Sequence, residues 1–190
     1  MGGFAQVFPR VRMVWALLNP QDSVSSHRGF TLIELLIVVA IIGVIAAIAV
    51  PGLLRARMSA NESSAIASMR AVSSAQQAYS SKCSGYAADL TELAAAGNFL
   101  GPDLAAAATV TKSGYQITMT VGMGNFLLPS PPAGCTTPGT TFYATAVPLS
   151  VGTSGQRGFA TDEPGTIWQD MTGAAPTQPF AIAGTIDIIQ

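Results

Sequence analysis

The chain has 190 residues, of which 49% are hydrophobic and only 10% charged, with a net charge of −1. Soluble domains carry roughly 25% charged residues, so part of this chain must sit in lipid or in an interface. From Cys83 onward two basic residues, Lys112 and Arg157, face seven acids, a net −5, which excludes the basic footprint of a nucleic-acid-binding protein.

Residues 1–29 are basic but also carry the apolar patch "MVWALLN", and Met13 is a second candidate start. From Phe30 to Leu54 the only charged residue is Glu34. As a helix this run is about 37 Å long, enough to cross a hydrocarbon core of about 30 Å. It is apolar on all sides, unlike an amphipathic surface helix. It is too long for an ordinary cleaved signal and lacks a clean small-residue cleavage site at its end. A plain membrane anchor accounts for the length but not for Glu34. An intramembrane acid costs about 2.5–3.5 kcal/mol on insertion scales and marks a function with a partner nearby. Gly43 and Pro51 interrupt the run, and Pro51 removes a backbone hydrogen bond. Pro51 reads either as a built-in weak point or as a simple kink.

Beyond Pro51 the pattern turns amphipathic. Met58, Ala65, Val72 and Tyr79 recur every seven residues, with Ile66 and Met69 beside them. The reading is helix from about Phe30 to Ser81, with Gly85 as the stop signal. The glycosylation-like "NES" at 61–63 falls inside this helix and is discounted. "DLTELAAAG" at 89–97 reads as a short helix ending at Gly97. "YQITMTV" at 115–121 alternates as a half-buried strand and pairs backward through a hairpin at Lys112–Gly114. "TFYATAV" at 141–147 is another strand, and "GFATDEPGTIWQD" at 158–170 is two short strands about a Glu-Pro-Gly turn. That turn takes Pro at its second position and Gly at its third. Residues 180–189 form a terminal strand. The expected fold class is α+β: one long helix packed on a small antiparallel sheet.

Cys83 and Cys135 are the only cysteines and have no metal-binding spacing. If this half lies outside the cytoplasm, a disulfide is the natural reading, contributing roughly 4 kcal/mol in the chain-entropy model. Two buried thiols are the alternative.

The stretch "RGFTLIELLIVVAIIGVIAAIAVP" resembles the N-terminal signature of type IV prepilins and pseudopilins. Basic residue, Gly, Phe, Thr, Glu and apolar run fall at the family's offsets. The resemblance implies that leader 1–29 is removed by a prepilin peptidase cutting between Gly29 and Phe30, with Phe30 then N-methylated. It implies 30–54 as the membrane and filament-core helix, 55–82 as an amphipathic helix and 83–190 as a β-rich head. Glu34 becomes the fifth mature residue, meeting the N-terminal amine of a neighbouring copy. Gly43 and Pro51 resemble the stretch where the family's helix loses structure in the filament. "NESSAIASMRAVSSAQQAYSS" and "GFATDEPGTIWQD" also look like parts of bacterial major pilins. The implied partners are other copies of the chain, the peptidase, an inner-membrane assembly platform and, before assembly, the membrane. The implied location is the inner membrane, then a cell-surface filament.

Little points to catalysis. The only histidine is His27, so no histidine follows Gly29, and Ser-His-Asp or Cys-His chemistry has no base there. No phosphate loop, dinucleotide fingerprint or haem motif occurs, and no cofactor is expected. Asp162, Glu163 and Asp170 form a weak Ca²⁺ candidate, against the reading of a solvated acidic turn. Phe30, Tyr79, Tyr86 and Phe99 read as packing residues rather than a charge-transport path. The expected function is a structural pilus subunit. The alternatives are a type II secretion pseudopilin or minor pilin, and an anchored extracytoplasmic binding protein. Adhesion, motility, DNA uptake and secretion all reuse this design.

Overall fold

The computed structural model describes residues 29–136 and 138–189. Residues 1–28, which hold Met13, the apolar patch, His27 and all but the last residue of the expected leader 1–29, lie outside the described residues. The chain divides into two compact units, Met1–Ile42 and Gly43–Gln190.

Helix α1 spans Leu32–Cys83. In the first unit its start is fixed by Thr31, which precedes the first helical residue. The Thr31 Oγ1 accepts the Glu34 N–H at 3.2 Å, and Glu34 Oε2 accepts the Thr31 N–H at 2.9 Å. This reciprocal capping box satisfies two amides that the first turn leaves without intrahelical partners. Every Leu, Ile and Val from Leu32 to Leu54 is exposed. By length and composition α1 is long and apolar enough to cross a membrane.

In the second unit α1 contains Pro51 and then buries one face. Ala65, Met69, Val72 and Tyr79 are all at 2% exposure or less, as their spacing predicts. They pack with Tyr115, Ile117, Met119, Phe159 and Ile167 into one core. Gln76 lies on the same face and is fully buried. Its amide donates to the Ala87 carbonyl and accepts the Ala87 N–H, so it is satisfied.

The helix does not stop at Ser81 on a Gly85 signal. It runs to Cys83, and Ser84 takes the left-handed conformation at φ 61°. The Ser84 N–H donates to the Ser80 carbonyl at 2.9 Å. Gly85 is needed for another reason: a Cβ there would lie 2.6 Å from Leu128 and 2.7 Å from the Gly139 carbonyl oxygen. Helix α2, Leu90–Ala95, starts on the Asp89 side chain, which accepts the Glu92 N–H.

Six strands follow: β1 Thr109–Lys112, β2 Tyr115–Thr120, β3 Tyr143–Pro148, β4 Gly158–Thr161, β5 Ile167–Asp170 and β6 Ile186–Ile188. They form one sheet in sequence order, every neighbour antiparallel. With α1 packed on it, this is the α+β helix-on-sheet arrangement expected. The β1–β2 turn has positive φ at both Ser113 and Gly114, the geometry whose twist matches paired strands.

Two expectations shift. The β4–β5 turn closes with the Gly165 N–H donating to the Asp162 carbonyl at 2.9 Å. It therefore begins at Asp162, one residue earlier than the Pro-Gly pattern implies, and the Glu163 carboxylate accepts the Phe142 N–H. The terminal strand is short, covering only residues 186–188. Phe180 is engaged by the rings of Trp168 and Tyr143, with centroids 5.2 and 6.0 Å away, and does not join the ladder.

Candidate functional site

The predicted N-terminal site falls at the start of α1. Gly29 and Phe30 precede the first turn, and Phe30 is 76% exposed. The capping box occupies Glu34 Oε2, which also accepts the Thr31 hydroxyl at 2.6 Å. Among the described residues Oε1 has no hydrogen bond, so one oxygen of the carboxylate remains available. The box is legible in the sequence as Thr-x-x-Glu at residues 31–34. A Cβ added at Gly43 would meet nothing within 4 Å, and Pro51 lies inside α1.

Cys83 and Cys135 are joined by a disulfide, with Cα atoms 5.7 Å apart across 52 residues of sequence. The bridge ties the end of α1 to the Pro- and Gly-rich loop before β3. No cysteine is free among the described residues.

The weak Ca²⁺ candidate does not assemble. Glu163 caps Phe142, and Asp170 Oδ1 accepts both the amide and the hydroxyl of Thr172 at 2.9 Å. The Thr172 amide, first among its causes, holds the Asp170 carboxyl below the usual range. Asp162 goes the other way: burial, and then the neighbouring Glu163 charge, push its carboxyl up. Among the described residues no group of three or more His, Cys, Asp or Glu is placed to share a metal ion.

A polar cluster that the sequence reading missed locks α1 to the sheet. Arg157 Nη2 donates to Glu62 Oε2 at 2.7 Å and Nε donates to the same oxygen at 3.0 Å. Glu62 Oε1 accepts the Gln156 N–H at 2.8 Å, and Arg157 Nη1 donates to Gln169 Oε1 at 2.7 Å. The guanidinium also lies 5.6 Å from the centroid of Phe159. One signal was available: Glu62 falls three residues before Ala65, on the apolar stripe of α1. Nearby, the Asn61 amide donates to the Ser154 carbonyl at 2.8 Å.

The chain matches the family described as "Prokaryotic N-terminal methylation motif" over residues 24–50. It is 41% identical over 85 residues to a Myxococcus xanthus protein named "Type IV major pilin protein PilA", covering 43% of this chain and 39% of that one. It is 63% identical over 35 residues to the Thermus thermophilus "Type IV wide pilus major component PilA4", covering 18% of this chain and 27% of that one. The chain thus matches well under half the length of either relative. No solved structure matches. The methylation motif, the long helix on its antiparallel sheet and the two named relatives together support a type IV pilin.

Proposed function

We propose that this protein is the repeating, non-enzymatic subunit of a type IV pilus filament. A prepilin peptidase cuts between Gly29 and Phe30, Phe30 is N-methylated, and the chains polymerise through residues 30–54. The observation that carries the reading is the apolar start of α1, on which every Leu, Ile and Val is exposed. Such a surface is stable only in lipid or against other apolar helices. Burying one Leu, Ile or Val contributes roughly 1.5–3 kcal/mol, so a few of them outweigh the cost of carrying one carboxylate.

Glu34 then supplies register rather than adhesion between helices. Cleavage creates a cationic amine at Phe30, in the same low-dielectric layer as the carboxylate. Each charge is costly when unpaired there, and pairing between neighbouring copies relieves both. Only one axial stagger brings the amine of one copy to the free Oε1 of the next. In this reading the prepilin resides in the inner membrane until an assembly platform extracts it, and the heads face outward in the filament. The Cys83–Cys135 bridge suits a head exposed to an oxidising exterior.

The test is intact mass and N-terminal sequencing of material sheared from cells. The expected product begins at Phe30, carries one added methyl and is lighter by two hydrogens for the bridge. A chain retaining its leader and confined to the membrane fraction overturns the proposal.

A further inference from the structure

The filament reading makes no use of the sheet face turned away from α1. Buried residues Ala144, Thr161 and Ile167 are paired across neighbouring strands, and Ala144 and Ile167 join the core with α1. The alternation of the strands puts Tyr143, Ala160 and Trp168 on the opposite side. There a cleft of about 410 Å³ opens, lined by Asp162, Trp168, Gln178, Phe180 and Met123 among others.

One wall is aromatic. The Trp168 and Phe180 rings stack at 5.2 Å with an interplanar angle of 27°, and both are only partly buried. The other feature is a carboxylate with little internal support. Asp162 Oδ1 is buried and has no hydrogen-bond partner among the described residues. Its Oδ2 receives only the Gln178 amide at 3.5 Å, while Gln178 Oε1 accepts the Met123 N–H at 2.8 Å. Among the described residues no lysine or arginine lines the cleft. Arg157 is held by Glu62, and Lys112 by Asp103 at 2.5 Å.

An aromatic wall alone accepts any apolar group, and a carboxylate alone accepts any cation. Ring faces carry negative electrostatic potential, and a carboxylate forms its strongest hydrogen bonds with charged N–H donors. The two together select a positive charge on an organic body. We propose that this cleft binds an organic cation, a primary ammonium or guanidinium group, held against the Trp168–Phe180 stack and paired with Asp162. Burial of the Asp162 Oδ1 atom supports this assignment, since among the described residues no cation neutralises its ionised form. The cation has two possible sources of the same chemistry: a free small amine, or an arginine of a second copy. Arg55, Arg57 and Arg70 are exposed, and among the described residues none forms an ion pair.

The test uses the full chain in detergent, titrated with n-butylguanidinium and n-butylammonium at constant ionic strength, with n-butanol as the uncharged control. Ligand-observed NMR is expected to show saturable binding of both cations, with a Kd on the order of 1 mM. Asp162→Asn and Trp168→Phe are each expected to weaken it about tenfold or more, while Asp187→Asn, at an exposed acid outside the cleft, leaves it unchanged. The circular dichroism spectrum and the intact disulfide report folding of each variant. Three outcomes overturn the proposal: no saturable binding at roughly ten times that concentration, butanol binding as tightly as the cations, or folded Asp162→Asn binding as the parent does. The source is read from a variant carrying Arg55→Gln, Arg57→Gln and Arg70→Gln. Tighter butylguanidinium binding at high protein concentration in that variant assigns the competing cation to a second copy. Equal binding assigns it to a free amine.

Discussion

Arg157 grips Glu62 across 95 residues of sequence, two of its nitrogens donating to one carboxylate oxygen at 2.7 and 3.0 Å. The other oxygen of Glu62 is taken by the Gln156 amide. The head half of α1 is thus fastened to the strand that opens the β4–β5 hairpin by a pair whose acid is only 10% exposed.

Removing one partner leaves the other charged and short of hydrogen bonds. Breaking a fully buried pair costs about 3–5 kcal/mol. Arg157 is 31% exposed on its side chain, so solvent screening lowers the figure, and Glu62→Ala is expected to cost about 2 kcal/mol. Chemical denaturation of Glu62→Ala, Arg157→Ala and the double variant checks this. Coupling between the two sites of less than roughly 0.5 kcal/mol shows that they act independently.

The disulfide closes a loop of 52 residues between the end of α1 and the segment before β3. Replacing both cysteines by serine frees that loop in the unfolded chain and is expected to cost about 4 kcal/mol. The same denaturation measurement, with and without reductant on the parent protein, reads it. A parent whose midpoint is unmoved by full reduction contradicts the expectation.

Glu34 has two roles in this account, one within the chain and one between chains. Thr31→Val removes the hydroxyl from the capping box and is expected to cost the first turn about 1 kcal/mol, with filament yield reduced but not abolished. Glu34→Ala removes both the cap and the intersubunit charge, and filament yield is expected to fall by about tenfold or more. Sheared filaments quantified against total cellular subunit decide the matter. Normal yield from Glu34→Ala would leave the register role without support.

Asp162 gives a pH signature. Its folded carboxyl is raised above the unfolded value, first by burial and then by Glu163, while Gln178 acts in the opposite direction. Folding therefore disfavours its ionised form. The contribution is most favourable at pH below the unfolded carboxyl range and is lost as pH rises through the folded one. Asp162→Asn, which cannot ionise, is expected to raise Tm at pH 7 and to leave it unchanged near pH 3. Thermal melts of the two proteins at both pH values measure the difference. Equal melting temperatures at pH 7 count against a destabilised carboxylate.

Asp103 works in the reverse sense. Its hydrogen bond with Lys112 holds its carboxyl below the usual range. That stabilisation is present at neutral pH and is lost as pH falls through the lowered value. Both side chains are substantially exposed, so salt is expected to weaken it. Lys112→Met is expected to flatten the acid limb of the stability curve slightly, at low salt only.

The parts legible in the sequence are those written in short-range spacing. The seven-residue recurrence from Ala65 to Tyr79 defined the buried face of α1, because helical geometry brings such positions together whatever they pack against. The same holds for the alternation along β2, the Lys112–Gly114 turn and the signature from Arg28 to Pro51. Tertiary structure decided the rest. Ser84, not Gly85, ends α1, because Gly85 is constrained by Leu128 and Gly139, far along the chain. β6 covers only Ile186–Ile188, and Phe180 packs against Trp168 and Tyr143 instead of joining it. Glu62 finds Arg157, and Asp162 comes to stand beside an aromatic stack. Each of these depends on pairings between distant segments, which leave no period in the sequence and exist only once the strands have taken their order.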